Sequence, residues 1–109
     1  MLRISIRRVR SEQVGRLRAW MAEVNGRQDE VRETFRREGV HHEQAFLVDG
    51  KDGPLFIYAI EMEDPEKARR AFETSQLPID QEHAAVMAQV IAGRVPVELL
   101  YECLLPDEE

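Results

Sequence analysis

An α+β fold, with a four-stranded antiparallel sheet covered by helices on one face, is predicted by three features of the sequence. Residues 2–9 alternate apolar and polar side chains with the period of a half-buried strand. Residues 11–39 carry an apolar stripe at helical spacing. The stretch "DGKDGP", residues 49–54, separates two strand-like runs and has the composition of a hairpin loop.

Each element follows in chain order. In the first strand Leu2, Ile4 and Ile6 point one way and Arg3, Ser5 and Arg7 the other. Ser11 is the expected N-cap of a long helix whose stripe is Val14, Leu17, Trp20 or Met21, Val24, Val31 and Phe35. Asn25-Gly26 in its middle predicts a kink or short break, because glycine is unfavourable inside a helix, and Gly39 is the end signal. Val40 to Val48 and Leu55 to Met62 are the second and third strands. Asp64 caps a helix with Pro65 at its first position, burying Ala68, Ala71 and Phe72. Another helix is expected to open at Asp80, carry Ala84, Val86, Met87, Val90 and Ile91, and close at Gly93. Val95 to Leu105 alternates again, Val97, Leu99, Tyr101 and Cys103 against Glu98, Leu100, Glu102 and Leu104, and is the expected fourth strand. Strand, helix, strand, strand, helix, helix, strand is a split β-α-β repeat. The expected architecture is therefore the ferredoxin-like sandwich, one domain over residues 1–109 with an acidic tail at 106–109.

Composition narrows the function classes. A length of 109 residues suits one domain with one core, and 43% hydrophobic against 33% charged residues argues against disorder. A net charge of -6 repels phosphate backbones, so nucleic acid is not an expected partner. The single cysteine, Cys103, forms no intrachain disulfide and fits a reducing compartment. The first residues alternate instead of forming the apolar run of a signal peptide, and no segment approaches the length of a membrane span. The expectation is a cytoplasmic protein with no membrane partner.

A sheet covered on one side leaves the other side bare. The expected bare face holds Arg3, Ser5 and Arg7, then Leu55, Ile57, Ala59 and Glu61, then Glu98, Leu100, Glu102 and Leu104, with the first strand between the third and fourth. Glu98, Glu102 and Glu61 would pair with Arg3 and Arg7 across strands. Leu55, Ile57, Leu100 and Leu104 would form an apolar patch suited to a two-fold homodimer, the alternative being an open amphipathic sheet with surface ion pairs.

Signals for chemistry are sparse. His41 and His42 are adjacent on a strand and point to opposite faces, and Asp80-x-Glu82-His83 lacks ligand spacing, so no metal is expected. Cys103 has no thiol companion, and no glycine-rich loop cradles phosphate, so no cofactor is expected. "PIDQEH", residues 78–83, gathers two carboxylates and an imidazole, yet Asp80 reads as a helix cap and Glu82 as a solvated first-turn carboxylate. His83 shares the stripe of Val86, Met87 and Val90, near a helix N-terminus that favours a neutral ring. Tyr58 points to the helix side with Phe56, Ile60 and Met62. Trp20, Tyr58, His83 and Tyr101 are thus the candidate ligand-binding residues, with His83 as candidate base and Tyr58 as donor; the alternative is aromatic core around a locally satisfied histidine.

The stretches "RAWMAEVNGRQDEVRETFRREGV" (18–40) and "EMEDPEKARRAFETSQLPIDQEH" (61–83), with the strand bearing Tyr58, resemble a family of small uncharacterised bacterial proteins, a domain of unknown function with a ferredoxin-like, dimeric α/β-barrel fold. The resemblance implies fold and dimerisation. It also implies a frequent histidine where this chain has Leu77, so a second imidazole beside His83 is missing. More distantly the architecture is similar to cofactor-free monooxygenases and haem-degrading enzymes, which set a polar residue, an aromatic and a histidine between helices and sheet. The expected function is a homodimeric ligand-binding or structural domain, with an oxygenase or isomerase acting on a small aromatic or acidic metabolite as the alternative.

Overall fold

The computed structural model describes residues 1–106; Asp107 to Glu109, most of the expected acidic tail, lie outside the described residues. The order of elements is β1 (Leu2–Val9), a 3-10 turn (Ser11–Gln13), α1 (Val14–Asn25), α2 (Gln28–Glu38), β2 (Val40–Gly50), β3 (Gly53–Met62), α3 (Pro65–Glu73), α4 (Pro78–Val90) and β4 (Ile91–Val95). The strands form one antiparallel sheet in the order β2-β3-β1-β4, with β1 between β3 and β4 as expected.

Local chemistry explains most boundaries. Asp64 accepts the Glu66 backbone N–H at 3.0 Å and starts α3 with Pro65 behind it. Gly39 takes the left-handed conformation, φ 73°, and donates its N–H to the Phe35 carbonyl, closing α2. At Asn25-Gly26 the chain does more than kink: Gly26 donates to Ala22 and Glu23 and ends α1, and α2 restarts at Gln28. The hairpin is tighter than the loop expected at 49–54, because β2 and β3 pair as far as Gly50 opposite Gly53.

Three expectations are corrected. Ser11 caps nothing; it begins the 3-10 turn, and α1 starts at Val14 without a side-chain cap. Asp80 is not the cap of α4, since Pro78 occupies the first turn and Leu77 the cap position, so Asp80 lies inside the first turn. The fourth strand is Ile91–Val95, not 95–105. Val90 ends α4 and its carbonyl accepts the Arg10 N–H at 2.8 Å, so the chain passes straight from helix to strand through Ile91, and Gly93 lies within β4. Pro96 follows and has no N–H to continue the ladder. Residues 96–106 carry no regular structure, and Leu100 is 85% and Tyr101 81% exposed. Leu99 and Cys103, expected toward the core, are also exposed.

The largest correction concerns the sheet faces. Arg3, Ser5 and Arg7 pair with Ile60, Tyr58 and Phe56, and directly paired residues share a face. Phe56, Tyr58 and Met62 are buried under the helices, so the polar side of β1 faces inward with them. Leu2, Ile4 and Ile6 pair with Glu61, Ala59 and Ile57, and β2 adds Phe46 and Val48 opposite Ile57 and Leu55. That outer face carries an apolar band across three strands, from Leu2, Ile4 and Ile6 through Leu55 and Ile57 to Phe46 and Val48, with Arg8, Glu61, His42 and Gln44 around it; Leu2 is 56% and Ile4 43% exposed. Leu55 and Ile57 keep their expected place on it, but Leu100 and Leu104 lie outside the sheet. The expected pairs of Arg3 and Arg7 with Glu98, Glu102 and Glu61 do not form: Glu61 is opposite Leu2, and Arg7 is opposite Arg94. The core between sheet and helices is Val9, Leu17, Trp20, Phe56, Tyr58, Ile79, Val86, Met87 and Val90.

Candidate functional site

One wide cleft of about 1080 Å³ opens between the inner sheet face and the helices. Its centre is a three-residue chain of hydrogen bonds. Trp20, from the buried stripe of α1, donates its indole N–H to His83 Nδ1 at 2.9 Å. His83 Nε2 lies 3.2 Å from the Tyr58 hydroxyl on β3. An indole nitrogen only donates, so Nδ1 must be the accepting nitrogen and Nε2 carries the proton. His83 therefore donates to the Tyr58 oxygen, and the Tyr58 hydroxyl keeps its own hydrogen for another acceptor.

Electrostatics agree with that tautomer. Burial, helped by the nearby Arg7 charge, pushes the His83 pKa down to about 4, so the ring is neutral at pH 7. Burial drives the Tyr58 hydroxyl well above its ordinary value, with Glu43 adding to the rise and Arg7 opposing it, so Tyr58 is a donor and not a phenolate. The Phe72 ring from α3 stands edge-on to His83 with centroids 6.1 Å apart, and Phe56 packs against Tyr58 at 4.7 Å.

The rim near the start of α4 is fixed by one arginine. Arg27, between α1 and α2, reaches Glu23, Glu30 and Glu82, each at 2.7 Å, and its guanidinium lies 6.0 Å from the centre of the Trp20 ring. Glu82 is solvent-exposed as expected and is in addition an ion-pair partner, and the tie binds α4 to the α1–α2 junction beside Trp20.

The cleft is charged at both sides of this centre. Glu43 of β2, Glu38 at the end of α2 and Asp80 of α4 line it together. Burial, then Asp80, raises Glu43 to about 7, and burial, then Asp80 and Glu43, raises Glu38 to about 8. Water reaches Glu43 through the open side of the cleft, while protein surrounds most of its carboxylate. On the β1–β4 side Arg7 and Arg94 stand directly opposite each other and line the same cleft.

Of the residues singled out in sequence, Trp20, Tyr58 and His83 come together. Tyr101 does not; it lies on the exposed segment after β4. His41 pairs with Glu63 at 2.8 Å on the surface, and among the described residues no group of three or more His, Cys, Asp or Glu side chains is placed to hold a metal. Arg7, Arg94, Glu38 and Glu43 escape sequence reasoning. A signal for Arg7 was present: Val9, buried, shares the odd-numbered side of β1 with Arg3, Ser5 and Arg7. No curated protein matches the chain. Over residues 2–109 the sequence matches DUF6176, and the chain belongs to this family of unknown function.

Proposed function

We propose that the protein is a cytoplasmic homodimeric domain that binds a small molecule in the cleft between helices and sheet. The observation that carries the binding reading is the Trp20–His83–Tyr58 chain, which fixes a neutral imidazole and leaves one hydroxyl donor uncommitted within the cleft. Interior groups of plain core are mutually satisfied, whereas here polar and charged side chains from β1, β2, β3, α2 and α4 converge on open volume. Aromatic rings at Trp20, Tyr58 and Phe72 favour a flat ligand. The strand order and the two helical segments after β1 and β3 support the ferredoxin-like assignment of the fold. The single, exposed Cys103 supports the reducing compartment.

Homodimerisation is supported by two surfaces of the same chain that call for cover. One is the outer sheet face of Leu2, Ile4, Phe46 and Val48. The other is the segment after Pro96, where Val97, Leu99, Leu100, Tyr101, Leu104 and Leu105 are all exposed. β4 pairs with β1 only from Ile6 onward, so among the described residues the β1 edge at Leu2–Ser5 has no neighbour on that side. A second copy supplies the occupant for both: sheets packed face to face, each apolar segment laid against its partner's sheet.

One observation favours a catalytic second reading, an isomerase or cofactor-independent oxygenase acting on a small aromatic or acidic metabolite. A hydroxyl polarised by a neutral histidine is suited to hydrogen-bonding a developing oxyanion. In that reading Tyr58 is the donor, and His83 positions it; His83 is not a free base, because both ring nitrogens are engaged.

A fragment screen followed by protein NMR tests the binding reading. Binders are expected to shift the indole N–H resonance of Trp20, the only tryptophan. Binders that leave this resonance still and cluster elsewhere would refute it.

A further inference from the structure

We propose that Arg7, Arg94 and the Tyr58 hydroxyl form a subsite for the carboxylate of a small aromatic acid. The proposal deepens the cleft-binding reading and rests on it. Arg7 and Arg94 are directly opposed across β1 and β4, an arrangement that is unfavourable for like charges unless an anion sits between or beside them. Among the described residues neither joins an ion pair, although Arg3 apart, every other arginine that lines the cleft has a carboxylate partner. Arg7 Nε is buried and has no acceptor within hydrogen-bonding distance. A guanidinium with an unused donor is built to take a carboxylate, and two such groups give a fork for both oxygens.

The neighbours fit the rest of such a ligand. Arg7 acts on the charge of both Tyr58 and His83 and is itself opposed by Arg94, so Arg7 links the Tyr58 hydroxyl to Arg94 along the cleft, with Glu43 acting on Tyr58 as well. The rings of Trp20, Tyr58 and Phe72 surround His83 along the cleft wall, and Phe72, the half-buried one, is the ring left for an aromatic body to pack on. The carboxylates of Glu38, Glu43 and Asp80 are gathered along β2, α2 and α4, away from the β1–β4 pair. They would repel an anion seated on their side, which gives the ligand one orientation.

Benzoate, with benzamide as its neutral counterpart of the same shape, tests this on the full chain by Trp20 fluorescence and backbone amide shifts. Benzoate is expected to bind at least tenfold more tightly than benzamide, and Arg94→Gln and Arg7→Met are each expected to weaken benzoate about tenfold while leaving benzamide unchanged. Arg94 is exposed, so its variant tests the subsite even if Arg7→Met fails to fold. Equal binding of the two probes, unaffected by either variant, would overturn the anion subsite and leave the cleft reading standing. If neither probe shifts any cleft resonance at millimolar concentration, the cleft reading fails, and the subsite with it.

Discussion

Replacing Trp20 by Phe isolates the donor that holds His83 neutral. The change removes the indole N–H that bonds Nδ1 at 2.9 Å and leaves a buried ring in place. An unsatisfied buried acceptor costs about 1–3 kcal/mol. The smaller ring adds about 1 kcal/mol of lost apolar burial. The total, about 2–4 kcal/mol at pH 7, is readable by urea unfolding. The two parts separate by pH. In the parent, His83 has a folded pKa of about 4 against 6.5 when unfolded, so the unfolded chain binds the extra proton between those values. The contribution of neutral His83 is therefore complete above pH 6.5 and is lost as pH falls toward 4, by up to about 3 kcal/mol at 1.4 kcal/mol per unit. Burial and Arg7 still act in the variant, but the Nδ1 lone pair is free to take a proton, so the folded pKa rises. The parent and variant curves must then converge as pH drops from 6.5 to 4. Parallel curves across that interval would refute the hydrogen-bond reasoning and leave only the packing loss.

Glu43→Gln should stabilise the fold with the opposite pH dependence. Glu43 ionises near 7 when folded, so the parent progressively loses stability as pH rises from 4.5 through 7, and the amide avoids that loss; the gain is about 1 kcal/mol at pH 8 because water reaches the group, and it vanishes below pH 4.5, as thermal unfolding at several pH values will show. Ile4→Arg sets a charge on the outer sheet face, and light scattering at micromolar concentration should show the dimer reduced to a folded monomer; a parent that is itself a stable monomer would sink the dimer proposal.

Much of the fold was legible because local signals and tertiary packing agree. Asp64-Pro65, Gly39 and the glycines of the hairpin each act through their own backbone, and all three mark boundaries the structure keeps. Trp20, Tyr58 and His83 were legible as a set because each lies on the apolar side of its element. The fourth strand was not. Residues 95–105 alternate as a strand does, but alternation says nothing about where the chain leaves the sheet, and Pro96 ends the ladder after Val95. Tyr101 was drawn into the site only by that misplaced strand. Nor was the orientation of β1 legible from hydrophobicity, since Leu2, Ile4 and Ile6 form its apolar side and yet point away from the helices.

The inversion of β1 gives the polar cleft and the proposed dimer a single cause. Side chains alternate strictly along a strand, so turning Arg3, Ser5 and Arg7 inward necessarily turns Leu2, Ile4 and Ile6 outward. A slip by one residue would turn Leu2, Ile4 and Ile6 toward the helices, together with Arg8 from the same side of the strand, and would take Arg3 and Arg7 out of the cleft. Instead the register keeps Tyr58 opposite Ser5 and Arg7 opposite Arg94, and it leaves Ile4 and Ile6 beside Ala59 and Ile57 on the outer face. Burying such a face against another surface is favourable. Turning the polar side of β1 toward the cleft thus puts its apolar side on the outer face, and in the proposed dimer a second copy would cover that face without giving up the cleft. Substitutions of outer-face residues on β1 or β3 that abolish dimerisation should therefore weaken ligand binding only through lost stability, because no outer-face side chain of those two strands lines the cleft, whereas Phe46 of β2 does.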